Sequence, residues 1–432
     1  TTLVGALDLT SPLATLSIAS AAKDSLILKS GLTGNGRLDS ESIDGDTIHD
    51  TADIRVIHDE TNTFVSATSA PLIRSHPVDY GLAAYTLENR ADGAWLVGGR
   101  DYSTAGAAVL HTTALSAQDY FAALEPLQRH ASDLRDRAAA GAFRSSRLDA
   151  GNLWVQGRAV DTEVDRSSAS LDFTQRTLGI TAGVDAHYDL GDANLATGVF
   201  ADTATTLRDF IGAADGRTVT IGAGLTALYA RRDGLYVSAL ARFDTSSHTL
   251  DTHAPNNALS ADYHTQSGGL ALEAGWRLGR DSFSFLSLLP ENLWLEPSLG
   301  LGYAKLAGAT YTTESNRGNN IIDITLAGAK ALQYRAALAA GYKLDENWNL
   351  LARLAYASVD ASGGTVSSRN VATQRDGLRN VATLLDGARY EAAVGVTRRV
   401  GANGRIHLDY TYVAGDDYTR PYTLTLGYSH LW

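Results

Sequence analysis

The 432-residue chain contains no cysteine. This excludes a disulfide framework and any thiolate metal site. It also suits a polypeptide that must thread a narrow pore unfolded. Methionine is absent too, and no signal peptide stands at the start. The chain opens in mid-pattern at Thr1-Thr-Leu-Val4, so we expect it to be the C-terminal part of a longer precursor. No run approaches the roughly 18 apolar residues of a transmembrane helix. That excludes a helical membrane protein and says nothing against a barrel, whose signal is alternation. Positive charge is in deficit, 36 Lys and Arg against 48 Asp and Glu, for a net charge of −12, so no nucleic acid is expected as partner. The sequence has no Gly-x-Ser-x-Gly elbow, no His-Glu-x-x-His helix and no Walker loop. His58-Asp-Glu60 and Ser75-His76 come closest to catalytic vocabulary, and both read as turn or surface groups. We expect no catalytic residue, cofactor or metal.

What is present is alternation. The last segment places apolar residues at Tyr422, Leu424, Leu426, Tyr428 and Trp432, with Thr423, Thr425, Gly427 and Ser429 between them. A period of two gives one apolar and one polar face. A soluble sheet has no reason to end on an exposed Trp, whereas a membrane barrel anchors aromatic rings at the lipid–water boundary. From Gly151 onward twelve such segments follow, near 151–162, 171–188, 192–208, 216–231, 233–249, 260–279, 291–308, 327–344, 347–359, 387–400, 403–415 and 420–432. An even count is what bacterial single-chain barrels have. Connections alternate between tight turns, such as Leu190-Gly-Asp192 and Val400-Gly-Ala-Asn-Gly404, and mostly longer polar loops. That is the periplasm-versus-outside pattern, and it places both barrel termini on the periplasmic side. Arg280 to Glu291 breaks the rule: it should be a short turn yet carries Phe283, Phe285, Leu286, Leu288 and Leu289. Trp294, Trp348, Tyr303, Tyr342, Tyr410 and Tyr428 read as girdle residues at the membrane boundary.

Two regions precede the barrel. Residues 1 to 112 are short β segments with Gly, Asp, Asn and Thr at the corners. They suit the rungs of a right-handed β-helix, with a β-sandwich as the alternative. Residues 113 to 148 predict a linker and helix: Ser116-Ala-Gln-Asp119 looks like a capping box and Gly141 like a stop. Pro126 interrupts the pattern, so the helix should kink there or restart. Its apolar stripe is thin (Tyr120, Leu124, Leu127, Leu134) and its second half is strongly polar. Such a helix belongs in solvent or in a polar channel. The loop at 360–386 holds a near-duplicate, Arg369 to Leu378 and then Arg379 to Ala388, either a local duplication or a binding loop.

In this order the three parts resemble a type Va autotransporter: the C-terminal translocator barrel with the end of its β-helical passenger, the autochaperone region. Leu153-Trp-Val-Gln-Gly-Arg158 is similar to the family's opening strand, and Gly427-Tyr-Ser-His-Leu-Trp432 to its closing strand. Leu82 to Gly99 resembles the end of the autochaperone region. The resemblance implies an outer-membrane barrel of a Gram-negative bacterium that carries its N-terminal passenger to the cell surface, with residues 1 to about 112 outside and an adhesin as the default passenger. It implies contact with outer-membrane lipid, periplasmic chaperones and the barrel assembly machinery, which would read Tyr422, Leu424, Leu426, Tyr428 and Trp432 as the C-terminal assembly signal. The barrel would be monomeric. His430 departs from the apolar residue usual there and implies a weaker insertion signal. Self-cleaving members cut at an Asn-Asn pair in the pore helix. Residues 114 to 151 contain no Asn, while Asn256-Asn257 and Asn319-Asn320 fall in loops, so no self-cleavage by that route is expected.

Twelve strands about 4.7 Å apart and tilted roughly 40° enclose a hole about 10–12 Å wide, the diameter of one α-helix. The expected fold is therefore an all-β, 12-stranded antiparallel transmembrane barrel (149–432) with a polar α-helix in its lumen. Lumen parity falls on Arg158, Asp185, Arg242, Glu273, Arg277, Glu296, Arg335, Arg353, Glu391 and Asp409. These either pair with Arg129, Asp133, Arg135 and Asp136 of the helix or with each other. An outer-membrane protease or lipase and a passive porin are the competing readings; neither needs both a β region and a polar helix ahead of the barrel.

Overall fold

In the computed structural model, the described residues are 2–3, 7–9, 15–18, 24–29, 32–34, 37–40, 53–61, 78–80, 82–112, 116–139, 151–164, 172–210, 214–253, 258–315, 321–371, 375–376, 381–382, 386–416 and 418–432. Twelve long strands form the barrel: β1 (Gly151–Val164), β2 (Phe173–Asp189), β3 (Ala193–Asp209), β4 (Ala214–Arg231), β5 (Leu235–Thr252), β6 (Leu259–Trp276), β7 (Leu293–Leu306), β8 (Ala329–Lys343), β9 (Trp348–Gly363), β10 (Gly387–Val400), β11 (Gly404–Gly415) and β12 (Tyr418–Leu431). Each pairs antiparallel with the next, and β12 pairs with β1, so the sheet closes. Closure leaves no unpaired sheet edge in the membrane.

The dyad places the side chains. On β2, Leu178, Ile180 and Val184 are exposed on the outer wall, while Thr177, Thr181, Asp185 and His187, at the opposite parity, are buried. Apolar residues face outward and polar ones inward, the inverse of a soluble core. The seam is closed by the chain's end: Trp432 N–H donates to Gly151 O at 3.0 Å. The Trp432 ring lies over Gly151, where a Cβ would come within 2.3 Å of it.

At the long-loop end, residues 309–312, 322–326, 365–370, 375–376 and 381–382, from the β7–β8 and β9–β10 loops, build a small antiparallel sheet. Part of the near-duplicate lies in it. The Asn-Asn pairs and Ser75-His76 lie outside the described residues.

The N-terminal strands stack in parallel. Thr2 pairs with Ile27 and Leu7 with Leu32, both 25 residues on, and Thr15–Ile18 lies on Arg37–Ser40. Three short parallel ladders, two of them at a 25-residue spacing, are the pairing that stacked β-helix rungs would make. Parallel returns of this kind are right-handed in nearly all proteins. Strand Ile54–Asp59 ends the stack by pairing antiparallel with Gly93–Tyr102, which pairs with Ala83–Arg90. Arg55 ties this end together: it donates to Asp24 (2.7 Å) and Asp92 (3.0 Å), and its guanidinium and that of Arg90 both lie over the Trp95 ring. Burial pushes the Asp92 carboxyl up; hydrogen bonds from Trp95 and Arg55 outweigh that and hold it below the usual carboxylate range. His58-Asp-Glu60 is the end of a strand and its turn, with Asp59 accepting from Thr61 N–H.

Helix α1 (Thr104–His111) corrects the reading of residues 1 to 112 as β throughout. Ser103 caps it, its Oγ accepting from Gly106 N–H at 2.9 Å. Its Ala105, Ala108, Val109 and Leu110 join Val164, Phe173, Phe210, Val413 and Tyr418 of the barrel's long-loop rim in one buried apolar cluster. Helix α2 (Ser116–Ala139) follows.

Candidate functional site

Helix α2 lies inside the barrel, and side chains on nearly every wall strand reach it. Near the long-loop end Asp119 accepts from Gln175 (2.9 Å) and Arg208 (3.3 Å). Its carboxylate thus ties the first turn of α2 to β2 and β3. At the other end Arg137 donates to Asn403 O in the β10–β11 turn. The chain thus enters α2 at the loop end and leaves at the turn end, close to where β1 begins: the polypeptide threads its own barrel.

The first half of α2 combines a few ion pairs, Asp119 with Arg208 and Glu125 with Arg420, with apolar and aromatic contact. Tyr120, Phe121, Leu124 and Leu127 pack against Trp154, Phe200, Ala304, Ala331 and Val359. Phe121 has a place because Gly302 faces it; a Cβ there would meet the ring at 2.7 Å. Tyr120 OH donates to Arg242 O at 2.9 Å.

Pro126 then interrupts the ladder. It has no N–H, so the carbonyl four residues back, that of Ala122, loses its intrahelical donor. Arg158 of β1 supplies the replacement, donating from Nη1 to Ala122 O at 3.0 Å.

The second half is held by charge. Arg129 donates to both Asp409 oxygens (2.9 Å) and to Thr397. Asp133 pairs with Arg405 (3.0 Å) and with Arg137 one turn on (3.0 Å). Arg135 reaches Glu296 (2.7 Å), and Asp136 reaches Arg277 (2.6 Å), which also holds Glu296 (2.9 Å). His130 bonds Asp185 at 2.7 Å and stacks on Trp154, with ring centroids 4.2 Å apart.

All four helix residues read from the sequence therefore meet the wall, through Asp409, Arg405, Glu296 and Arg277. The other lumen residues divide. Arg242 pairs with Asp202 and Asp244, and Arg335 with Glu391 and Glu273. Glu273 also accepts from Tyr236 OH. Arg353 lies at lumen parity, its Nε without a hydrogen-bond partner. Lumen charges therefore contact the helix in some places and one another in others. The pattern missed Arg137, Arg208, Arg389, Arg405 and Arg420, all wall or helix cations that touch α2 or its neighbours. Arg405 was legible, because it shares parity with Asp409.

Tyr303, Tyr342, Tyr410 and Tyr428 are exposed on the outer wall. Trp348 lies beneath the Arg398 guanidinium. Trp294 corrects the girdle assignment. Its ring faces inward, beneath the Arg277 guanidinium (4.0 Å) and against Gly341. Tyr422, Leu424, Leu426 and Trp432 of the closing segment face outward. Among the described residues, no group of three or more His, Asp and Glu side chains is placed to hold a metal ion.

The autotransporter β-domain family matches residues 153–411. The chain belongs to this family. It is 24% identical to autotransporter CRAC of Citrobacter rodentium, over 95% of this chain and 25% of that protein. It is 23% identical to the BrkA autotransporter of Bordetella pertussis, over 66% and 26%. With the autotransporter adhesin/invasin TibA of Escherichia coli it shares 28% identity, over 37% and 15%. The chain thus spans about a quarter or less of these relatives' length. Among solved structures, the β-domain of the Bordetella autotransporter BrkA aligns with a TM-score of 0.52 at 20% identity, covering 65% of this chain and 99% of that one. The translocator domain of NalP from Neisseria meningitidis aligns at 0.51 and 13%, covering 72% and 97%. As an autotransporter barrel, the domain sits in the outer membrane of a Gram-negative bacterium, its outer wall against lipid.

Proposed function

We propose that this chain is the translocator of an autotransporter, non-enzymatic itself, that delivers and anchors the polypeptide N-terminal to α2 at the cell surface. The observation that carries it is the threading: α2 passes through the lumen with α1 and the β-helix region on the long-loop side, which in such barrels faces outward. Residues 1–112 are then the surface end of the passenger, 113–148 the linker and pore helix, and 149–432 the barrel. The Arg55–Trp95–Arg90 arrangement supports an autochaperone role, because it ties the last strands to the preceding coil. The assembly machinery and periplasmic chaperones would act on the exposed face of β12. The sequence of α2 contains no Asn, which favours a passenger that is not released by Asn-Asn cleavage. The passenger's work is read as adhesion, in line with the name of the Escherichia coli relative.

An epitope placed before Thr1 tests this in intact cells. Antibody should bind, and external protease remove the epitope, without permeabilisation. An epitope reached only after the outer membrane is opened would overturn the reading.

A further inference from the structure

The connection between β6 and β7 is unlike the other turns at its end of the barrel. Those are tight and carry polar tips: Asp192, Asp233, Asp345 and Asn403. This one, 277–292, contains a short 3₁₀ turn at Ser284–Leu286 and projects apolar side chains. Leu288 is 93% exposed and Phe283 is exposed as well, while Leu286 between them in sequence is buried. A long turn has no need to spend leucines on water.

Two observations say what covers them. First, the apolar surface is continuous with the lipid-facing wall. Leu270, Leu272 and Trp276 lie exposed along β6, and Phe283 meets the Trp276 ring edge-on at 5.4 Å. The turn therefore folds back toward the outer wall, at the level where that wall carries a girdle Trp. Second, the turn satisfies much of its own backbone. Ser282 N–H donates to Gly279 O, Leu286 to Phe283 O, Ser287 to Ser284 O, Leu289 to Leu286 O and Leu293 to Pro290 O. Internal pairing is what a segment needs where water is scarce. The Arg280–Glu291 ion pair (3.1 Å, exposed) closes its base, leaving the charges at headgroup level.

We propose that this turn is an interfacial foot, inserting Phe283 and Leu288 into the periplasmic leaflet of the outer membrane beside Trp276. The occupant of the exposed apolar face is phospholipid, and the foot would fix the depth of the barrel on the β6–β7 side. The proposal goes beyond translocation and depends only on the barrel lying in a bilayer.

The absence of cysteine makes the test direct. A single nitroxide is attached at Leu288→Cys, with Leu272→Cys as a lipid-facing reference and Ala402→Cys, in the tight β10–β11 turn, as an aqueous one. Each full-length variant is placed in nanodiscs of phosphatidylethanolamine and phosphatidylglycerol, and its folding is confirmed by heat-modifiable migration on a gel. Collision with oxygen and with a water-soluble nickel chelate then gives depth. Leu288 should lie about 5–10 Å below the headgroup level, favouring oxygen as Leu272 does. Nickel accessibility equal to that of Ala402 would place the turn in water and overturn the proposal. Shielding from both reagents would mean a protein contact, such as a second copy, and would overturn it too. If Leu272 itself read as aqueous, the membrane placement would fall, a failure distinct from that of the foot.

Discussion

The two halves of α2 occupy the same pore and are held by different mixtures of forces: aromatic packing with two flanking ion pairs before Pro126, a denser set of buried ion pairs after it. Before Pro126 the helix meets the wall with Tyr120, Phe121 and Leu124 against Trp154, Phe200 and Val359; after it, with Arg129, Asp133, Arg135 and Asp136 against Asp409, Arg405, Glu296 and Arg277. Apolar packing is non-directional and accepts a range of register. Buried ion pairs tolerate little, because a charge stripped of its partner in a dry site is costly. The second half therefore fixes register and the first supplies bulk. Arg158 sits at the junction, satisfying the carbonyl that Pro126 orphans.

This division can be broken one part at a time. The largest effect should follow Glu296→Ala, which strips Arg135 and Arg277 of a shared acceptor and should cost about 3–5 kcal/mol of helix anchoring. Single-channel recordings would then show long open events where the parent is nearly closed; unchanged traces would mean that the pairs carry no anchoring. Leu124→Ala, in the first half, should cost about 2–5 kcal/mol, read as faster amide exchange confined to residues before Pro126. Exchange rising equally along the whole helix would erase the distinction between the halves. Arg158→Gln should cost about 1–3 kcal/mol by exposing the Ala122 carbonyl. In a Pro126→Ala background the cost should shrink, since the alanine brings a backbone N–H that can take that carbonyl; equal costs in both backgrounds would show that Arg158 does not serve the carbonyl that Pro126 leaves free. The smallest effect is that of salt. Raising it from 0.1 to 1 M shortens the screening length from about 10 to about 3 Å, yet should speed exchange only slightly in the second half, because its pairs are buried, and in the first half only around Asp119, whose pair with Arg208 is the more exposed.

The wall was legible in the sequence because two solvents impose one period: lipid outside and a polar lumen inside force alternation, and the strand ends read from the pattern fall within a few residues of those observed. Parity also held the answer for Trp294, which shares it with Glu296; residue type suggested a girdle, and the inward ring shows that parity was the stronger guide. Which lumen charge meets which was not legible, because pairing across a barrel depends on stagger, which alternation does not encode. Arg420 shares parity with outward-facing Tyr422 yet is buried. Registers shift near Asp161 and Thr411, beside Pro421, and the alternation slips there. Helix α1 was hidden by its neighbourhood. Ser103 followed by Thr-Ala-Gly-Ala-Ala-Val-Leu-His111 carries a cap and an Ala-rich run, but it directly follows a ten-residue strand.

Filling of the lumen by α2 is tested most directly by single-channel conductance in planar bilayers, comparing the full chain with a version that begins at Gly151. A nearly closed channel is expected for the full chain, with a sharp rise once residues 1–150 are removed. Equal, large conductance in both would place the helix outside the pore and contradict the account.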